Sequence, residues 1–197
     1  MRLLVASNNP KKLAELQRIL DDASITGVEL VPLSQVAAYP EPVEDGRTFA
    51  DNALIKARAG AAATGLGCVA DDSGLAVDEL NGMPGVLSAR WSGGHGDDVA
   101  NNRLLLKQMA HVPDERRGAA FVSVCALVMP GGEEHVAEGR WPGKLLSQPR
   151  GENGFGYDPL FQPKGETRSA AEMSPDEKDA VSHRGRALVQ LVDFLDN

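Results

Sequence analysis

The feature that most restricts how this chain can fold is a short apolar run that leads directly into two adjacent aspartates. Residues 66–70 are predicted to form a buried strand that ends at Asp71, Asp72, Ser73 and Gly74. Two carboxylates at the end of a buried strand cost free energy unless a cation or hydrogen-bond donors compensate them. Because adjacent strand residues point to opposite faces, one carboxylate is expected to reach a site and the other to accept local backbone hydrogen bonds. Such oxygen ligands suit Mg²⁺, and an acidic surface turn is the alternative.

A strand, a polar loop and a helix are predicted within the first 22 residues. Residues 3–6 form the strand, and apolar residues at helical spacing continue to Leu20. The loop between them consists of Ser7, Asn8, Asn9, Pro10, Lys11 and Lys12. Asn9 can cap the helix and Pro10 suits its first position. The unpaired N–H groups of a helix start, together with Lys12, predict phosphate binding, and a plain capped helix with solvated lysines is the alternative.

The other predicted elements mix helices and strands, without a repeat, a low-complexity tract or a linker. The predictions are a helix from Thr48 (capping partner Asp51) to Gly65, a helix over 97–110, a hairpin of 119–129 and 135–140, and a C-terminal helix from Ser174 that Gly185 can interrupt. We therefore expect one domain over residues 1–197, with an α/β or α+β fold built on a mixed sheet.

Composition narrows the function classes. The net charge is −8 and the pI is about 5.0, so binding of a nucleic acid polymer is disfavoured, whereas a small anion with local cations remains open. The two cysteines, Cys68 and Cys125, are expected to be buried thiols in a reducing cytosol. The N-terminal apolar run is too short for a signal peptide, and no stretch is expected to span a bilayer.

Three further segments carry groups that could bind a ligand. Glu44 precedes the helix at Thr48, a placement that the helix dipole alone also explains. The glycine-rich segment 151–159 contains Phe155 and Tyr157, which can stack on a flat base, or can simply form a turn with one buried aromatic ring. Near the C-terminus, three residues that can carry positive charge, namely Lys178, His183 and Arg184, suggest an anion or carbonyl site, and a solvated helix end is the alternative.

Together these segments resemble the inosine triphosphate pyrophosphatase family, whose members cleave non-canonical purine nucleoside triphosphates. The resemblance runs from residue 3 to about residue 190. Its motifs are Ser7-x-Asn9-x-x-Lys12, Thr48-Phe49-x-x-Asn52-Ala53-x-x-Lys56-Ala57, Ala70-Asp71-Asp72-Ser73-Gly74-Leu75, Gly82-x-Pro84-Gly85, Gly154-Phe155-Gly156-Tyr157-Asp158 and Ser182-His183-Arg184-Gly185. Lys11 departs from the family pattern, in which many members carry glycine, and alignment favours Lys12 for the phosphate contact.

The resemblance implies an α/β fold with a long central mixed sheet flanked by helices, and two lobes with an active-site cleft between them. It also implies a cytoplasmic homodimer that requires Mg²⁺. In this reading Asp72 is the general base, and Glu44 and Asp72 bind the metal. The residues implied to bind substrate are Ser7, Asn8, Asn9, Pro10, Lys11, Lys12, Lys56, Ser73, Phe155, Gly156, Tyr157, Asp158, Lys178, His183 and Arg184.

The implied reaction is attack of water at the α-phosphorus, which releases the monophosphate and pyrophosphate. His183 and Arg184 would donate to the six-carbonyl of hypoxanthine or xanthine, and adenine would leave these donors unpaired. Three other functions remain open: a pyrophosphatase for modified pyrimidine nucleotides, a non-catalytic nucleotide sensor and a carboxylate-pair glycosidase. The Phe155 loop and the His183-Arg184 pair disfavour the first of these.

Overall fold

A six-stranded mixed sheet organises the fold. The computed structural model describes residues 1–181, 183–192 and 194–195. Its strands are β1 (Arg2–Val5), β2 (Glu29–Pro32), β3 (Gly67–Val77), β4 (Gly118–Val128), β5 (Glu134–Leu145) and β6 (Phe161–Pro163). The helices are α1 (Pro10–Asp22), α2 (Phe49–Thr64), α3 (Asp98–Gln108), α4 (Pro175–Val181) and α5 (His183–Val192). The strand order is β2-β1-β3-β4-β5-β6; β1 runs parallel to β2 and β3, and β5 runs antiparallel to β6. The predicted α/β fold with a mixed sheet is confirmed.

The helix boundaries follow the capping residues that the sequence predicted. The Asn9 side chain accepts the Lys11 N–H at the start of α1, where Pro10 takes the first position. Thr48 and Asp51 form a capping box at the start of α2, and Gly65 ends this helix in the left-handed conformation, with a φ of 69°. These predictions are confirmed.

The strand that contains the two aspartates is longer than predicted. β3 does not end at Asp71 but continues to Val77, because Leu75 and Val77 alternate into a second hydrophobic core. Asp71 and Asp72 therefore lie within the strand. Near the C-terminus, Gly185 lies inside α5 and does not interrupt it.

Two compact units can be distinguished, and each has its own core. The first unit comprises Met1–Asp72, Ser123–Gly139 and Arg184–Asn197, and the second comprises Ser73–Val122 and Arg140–His183. In the first unit, β1, β3 and β4 pack with α1 and α5 through residues such as Leu3, Leu16, Val69, Leu127 and Leu188. In the second unit, the core gathers around Phe121, Trp141 and Phe161.

Both cysteines are buried and unbridged, as predicted. Burial raises the pKa of the Cys68 thiol to about 12, so it stays protonated at neutral pH. Among the described residues, no helix combines the length and apolar character that a membrane span requires.

Candidate active site

The polar loop between β1 and α1 is organised by hydrogen bonds within the loop. The Ser7 hydroxyl accepts the Asn9 N–H at 3.1 Å, and the Asn9 side chain accepts the Lys11 N–H at 3.0 Å. The Asn9 carbonyl accepts the N–H of Lys12 at 3.1 Å. The expectation that the helix start offers unpaired N–H groups is therefore wrong for these three residues. An anion at this loop must rely on side chains, above all on the Lys12 ammonium, more than on a row of backbone donors.

Lys12 belongs to a buried ionic cluster, the Asp71 cluster, made of Lys12, Glu15, Asp71 and Arg184. The Lys12 ammonium contacts both Asp71 carboxylate oxygens, at 2.6 and 2.7 Å. The Arg184 Nε donates to Asp71 Oδ2 at 3.3 Å, and Arg184 Nη1 lies 3.6 Å from Glu15 Oε2. Asp71 is only 9% exposed. The expectation that Asp71 accepts local backbone hydrogen bonds is therefore wrong: it holds two cations that the sequence had assigned to substrate.

The charge state of Asp71 follows from these neighbours. Burial alone would raise its pKa, but the positive charges of Lys12 and Arg184 outweigh this effect and lower the pKa to about 2. The same contacts raise the pKa of Arg184 against the effect of its burial. Asp71 is therefore an anion at neutral pH, and it fixes the two cationic side chains in place.

Asp72 lies in a second cluster, the Lys56 cluster, made of Glu44, Asn52, Lys56 and Asp72. The Asn52 amide donates to Asp72 Oδ2 at 3.0 Å, and the Lys56 ammonium lies 4.0 Å from Asp72 Oδ1 and 3.2 Å from Glu44 Oε2. Asn52 is 1% exposed, and its own Oδ1 accepts the Gly46 N–H at 2.9 Å. Asn52 therefore ties the acidic segment before α2 to β3.

The Lys56 cluster suits a magnesium ion that is shared with phosphate oxygens. The Glu44 and Asp72 carboxylates both lie near the Lys56 ammonium, at 3.2 and 4.0 Å. Among the described residues no group of three or more His, Cys, Asp or Glu residues forms a metal site. Mg²⁺ typically takes one or two carboxylates together with substrate phosphates and water, and this donor set fits that pattern.

An open cavity of about 660 Å³ joins the loop to both clusters within the first unit. Its lining includes Ser7, Lys12, Glu44, Lys56 and Asp71, with the segment around Tyr39 as a further wall. Lys12, Glu44 and Lys56, which the sequence predicted in separate motifs, therefore face one cavity.

In the second unit, the segment 154–158, here called the aromatic loop, is ordered by Asp158. The Asp158 carboxylate is 1% exposed and accepts the Phe155 N–H at 2.9 Å and the Lys178 ammonium at 2.5 Å. That ammonium also lies 4.7 Å from the centre of the Phe155 ring, whose side chain is 66% exposed. The Tyr157 hydroxyl donates to the Ser88 carbonyl at 2.8 Å, so Tyr157 is buried and does not offer its ring to a ligand. Phe155 is the ring of this loop that is available for stacking.

The remaining predicted residues fall in the second unit. Ser73 lies in β3, and the His183 ring stacks on Phe121 with 5.3 Å between ring centres. Ser182, part of the predicted Ser-His-Arg-Gly motif, lies outside the described residues.

The structure thus brings the predicted residues together in two sets. The first unit gathers the polar loop, Glu44, Lys56, Asp72 and Arg184, and the second gathers Phe155, Asp158 and Lys178. The sequence analysis did not predict that Asn52 supports Asp72, or that cations surround Asp71. Asn52 and Asp71 nevertheless both stand in the motifs that carry the family resemblance. The signal was present for Asp71, because a carboxylate at a buried strand position requires a cation.

Fold and geometry define an α/β protein whose first unit carries an open cavity lined by paired lysines and carboxylates. The Ham1 family matches residues 3–194. A dITP/XTP pyrophosphatase of Corynebacterium diphtheriae is 68% identical over 99% of this chain and 97% of its own length, and one of Mycobacteroides abscessus is 66% identical over 100% and 96%. The chain belongs to the Ham1 family.

Solved structures agree with this assignment. A dITP/XTP pyrophosphatase from Mycobacterium abscessus superposes with a TM-score of 0.87 at 66% identity, covering 99% of this chain and 100% of the other. A HAM1 protein from Coxiella burnetii gives 0.90 at 41% identity, with coverages of 99% and 98%.

Proposed function

We propose that this protein hydrolyses the non-canonical purine nucleotides dITP, XTP and ITP to the monophosphate and pyrophosphate, with Mg²⁺ as cofactor. The names of the close relatives support the substrate class. The observation that carries the chemistry is the Lys56 cluster, in which the Glu44 and Asp72 carboxylates lie 3.2 and 4.0 Å from one ammonium, and of which Glu44 and Lys56 line the open cavity. Removal of such nucleotides from the pool fits a cytoplasmic enzyme, and we propose that it acts as a homodimer.

Asp72 is the group we propose as general base. Its Oδ2 accepts a hydrogen bond from the neutral Asn52 amide, which fixes the carboxylate without neutralising its charge. Oδ1 lies 4.0 Å from the Lys56 ammonium, beyond direct hydrogen-bond distance, and it is the oxygen proposed to bind the attacking water. Asp72 would orient this water and accept its proton as the oxygen attacks the α-phosphorus and the bond to the bridging oxygen breaks.

Lys12 and Lys56 are proposed to bind the negatively charged phosphate groups. Lys56 and Lys12 line the same cavity, so they can stabilise the negative charge that develops on the departing pyrophosphate. Glu44 and Asp72 would hold Mg²⁺, which, when bound, polarises phosphate oxygens and lowers the pKa of a bound water.

We propose roles in base recognition for residues of each unit taken by itself: Phe155 and His183 in the second unit, and Arg184 in the first. The exposed Phe155 ring can stack on a purine. Arg184 uses Nε and Nη1 in the Asp71 cluster, and a guanidinium has five N–H donors in total, so it can be held in place and still donate to a six-carbonyl. Adenine presents a donor at this position and would leave a buried donor unpaired.

The test is pyrophosphate release from purified protein supplied with dITP, XTP, dATP or a modified pyrimidine triphosphate, with Mg²⁺ or with EDTA. We expect release from dITP and XTP that EDTA abolishes. Binding of dITP without release would indicate a sensor, and preference for the pyrimidine nucleotide would overturn the substrate class. If EDTA did not reduce pyrophosphate release from dITP and XTP, the metal requirement would be overturned and the substrate class would stand.

A further inference from the structure

Two side chains of α3 hold the backbone of Gly156 in the middle of the aromatic loop. The Asp98 carboxylate accepts the Gly156 N–H at 2.7 Å, and the Asn102 amide donates to the Gly156 carbonyl at 2.8 Å. Asp98 and Asn102 are four residues apart, so they lie on one face of the helix. Both polar backbone groups of one loop residue are thereby bound to a single rigid element.

Gly156 is one of two glycines of the aromatic loop with a positive φ, the other being Gly154. Its φ of 60° lies in the left-handed region that favours glycine, which has no side chain to pack against its surroundings. It directly follows Phe155, whose ring is 66% exposed. Asp158 and Lys178 contact Phe155 on one side, and the backbone at Gly156 fixes the chain on the other, so the direction of the ring depends on both.

Asp97, also at the start of α3, provides a matched control for the contact between α3 and the aromatic loop. The Asn102 amide, besides binding Gly156, donates to the Asp98 carbonyl at 2.8 Å. Asp97, the residue before Asp98, makes a different contact, because its carboxylate accepts the Ala100 N–H at 2.9 Å and caps the helix. The two adjacent acids at the start of α3 therefore differ in role: Asp97 caps the helix, whereas Asp98 binds the aromatic loop.

We propose that Asp98 and Asn102 are positioning residues for base binding, which hold Phe155 in the orientation that stacks on the purine. They act through Gly156 and touch no reacting atom. The predicted effect on dITP binding rests on the proposed function, whereas the ordering of the aromatic loop by Asp98 and Asn102 does not.

The kinetic test compares Asp98→Ala, Asn102→Ala, Asp98→Asn and Asp97→Ala with the wild type. Asp98→Ala should raise KM for dITP about tenfold, as expected for loss of one charge-assisted hydrogen bond, and Asn102→Ala about threefold, with kcat changed less than about twofold in both. Asp98→Asn keeps an acceptor oxygen and should recover most of the wild-type KM. Asp97→Ala should lower the melting temperature and leave KM unchanged. Equal KM values in Asp97→Ala and Asp98→Ala would overturn the proposal, because the effect would then be one of helix stability.

A second measurement needs no activity. Amide hydrogen exchange at Gly156, followed by NMR in the substrate-free protein, should speed up at least about tenfold in Asp98→Ala and stay unchanged in Asp97→Ala. Unchanged exchange in Asp98→Ala would show that α3 does not hold the loop and would overturn the proposal. If the wild type does not hydrolyse dITP, the proposed function fails together with the role in base binding, while the exchange rates still decide whether α3 orders the loop.

Discussion

Asp71 and Asp72 are neighbours on β3, yet their surroundings differ in kind. Asp71 accepts short contacts from Lys12 and a further one from Arg184, and its side chain is 9% exposed. Asp72 accepts a hydrogen bond from a neutral amide, lies 4.0 Å from the Lys56 ammonium and is 15% exposed. A carboxylate saturated by two cations is a poor base and a poor metal ligand, and Asp72 differs from Asp71 in that a neutral amide holds one of its oxygens. The alternation of strand side chains thus places the two carboxylates in two different clusters.

The largest expected effect comes from Asp72→Asn. Asparagine keeps the shape and can still pair with Asn52, but it cannot accept a proton, so kcat for dITP should fall about a thousandfold. The melting temperature should stay within a few degrees of the wild type, and calorimetric binding of dITP in the presence of Ca²⁺ should persist. A variant that turns over at near the wild-type rate would show that Asp72 is not the base.

Glu44→Gln should act through the metal. Loss of one of two carboxylates weakens cation binding, so the Mg²⁺ concentration for half-maximal rate should rise about tenfold or more, and excess Mg²⁺ should restore part of the rate. Asp45→Asn removes the adjacent charge and is the matched control, with no expected change. If excess Mg²⁺ recovers nothing in Glu44→Gln, Glu44 is not a metal ligand and its position reflects the helix dipole alone.

Asp71 should contribute to stability in a pH-dependent way. Its pKa is lowered to about 2 in the folded protein, so its contribution is present above the ordinary aspartate pKa of about 3.9 and is lost as pH falls toward 2. The wild type should exceed Asp71→Asn by about 2 kcal/mol in free energy of unfolding at pH 6, and the difference should shrink between pH 4 and pH 2. Urea unfolding at a series of pH values measures it. A difference that does not depend on pH would contradict the ionic origin.

The smallest expected effect concerns specificity. Arg184→Ala should narrow the ratio of kcat/KM for ITP over ATP about tenfold, because one donor to the six-carbonyl is lost. Lys12→Ala should lower kcat/KM for both substrates alike, since the triphosphate is common to them. Lys12 and Arg184 both contact Asp71, so both variants disturb the Asp71 cluster. A difference between them in the ITP-to-ATP ratio therefore cannot come from that disturbance alone. An equal loss for ITP and ATP in Arg184→Ala would assign Arg184 to phosphate binding.

Local signals were enough to predict most of the fold. Asn9 with Pro10, the Thr48–Asp51 capping box and Gly65 act within a few residues, so the ends of α1 and α2 followed from sequence. The end of β3 did not. Its continuation to Val77 depends on a second core built from distant residues, and Gly74 resembles a strand stop when only its neighbours are considered.

The candidate site shows the same division. Residue types and motif resemblance predicted Lys12, Lys56 and Asp72, whereas their partners depended on long-range packing. The contact between Asp71 and Arg184 spans 113 residues, and that between Asp98 and Gly156 spans 58. Pairings at such separations cannot be read from local sequence patterns.

The most direct test of the division between the two aspartates is kcat for dITP, at saturating substrate and Mg²⁺, in Asp71→Asn and Asp72→Asn measured side by side with their melting temperatures. We expect Asp71→Asn to retain at least about a tenth of the wild-type kcat with a lowered melting temperature, and Asp72→Asn to retain about a thousandth with an unchanged one. Equal losses of kcat in the two variants would contradict the division of labour between the two faces of β3.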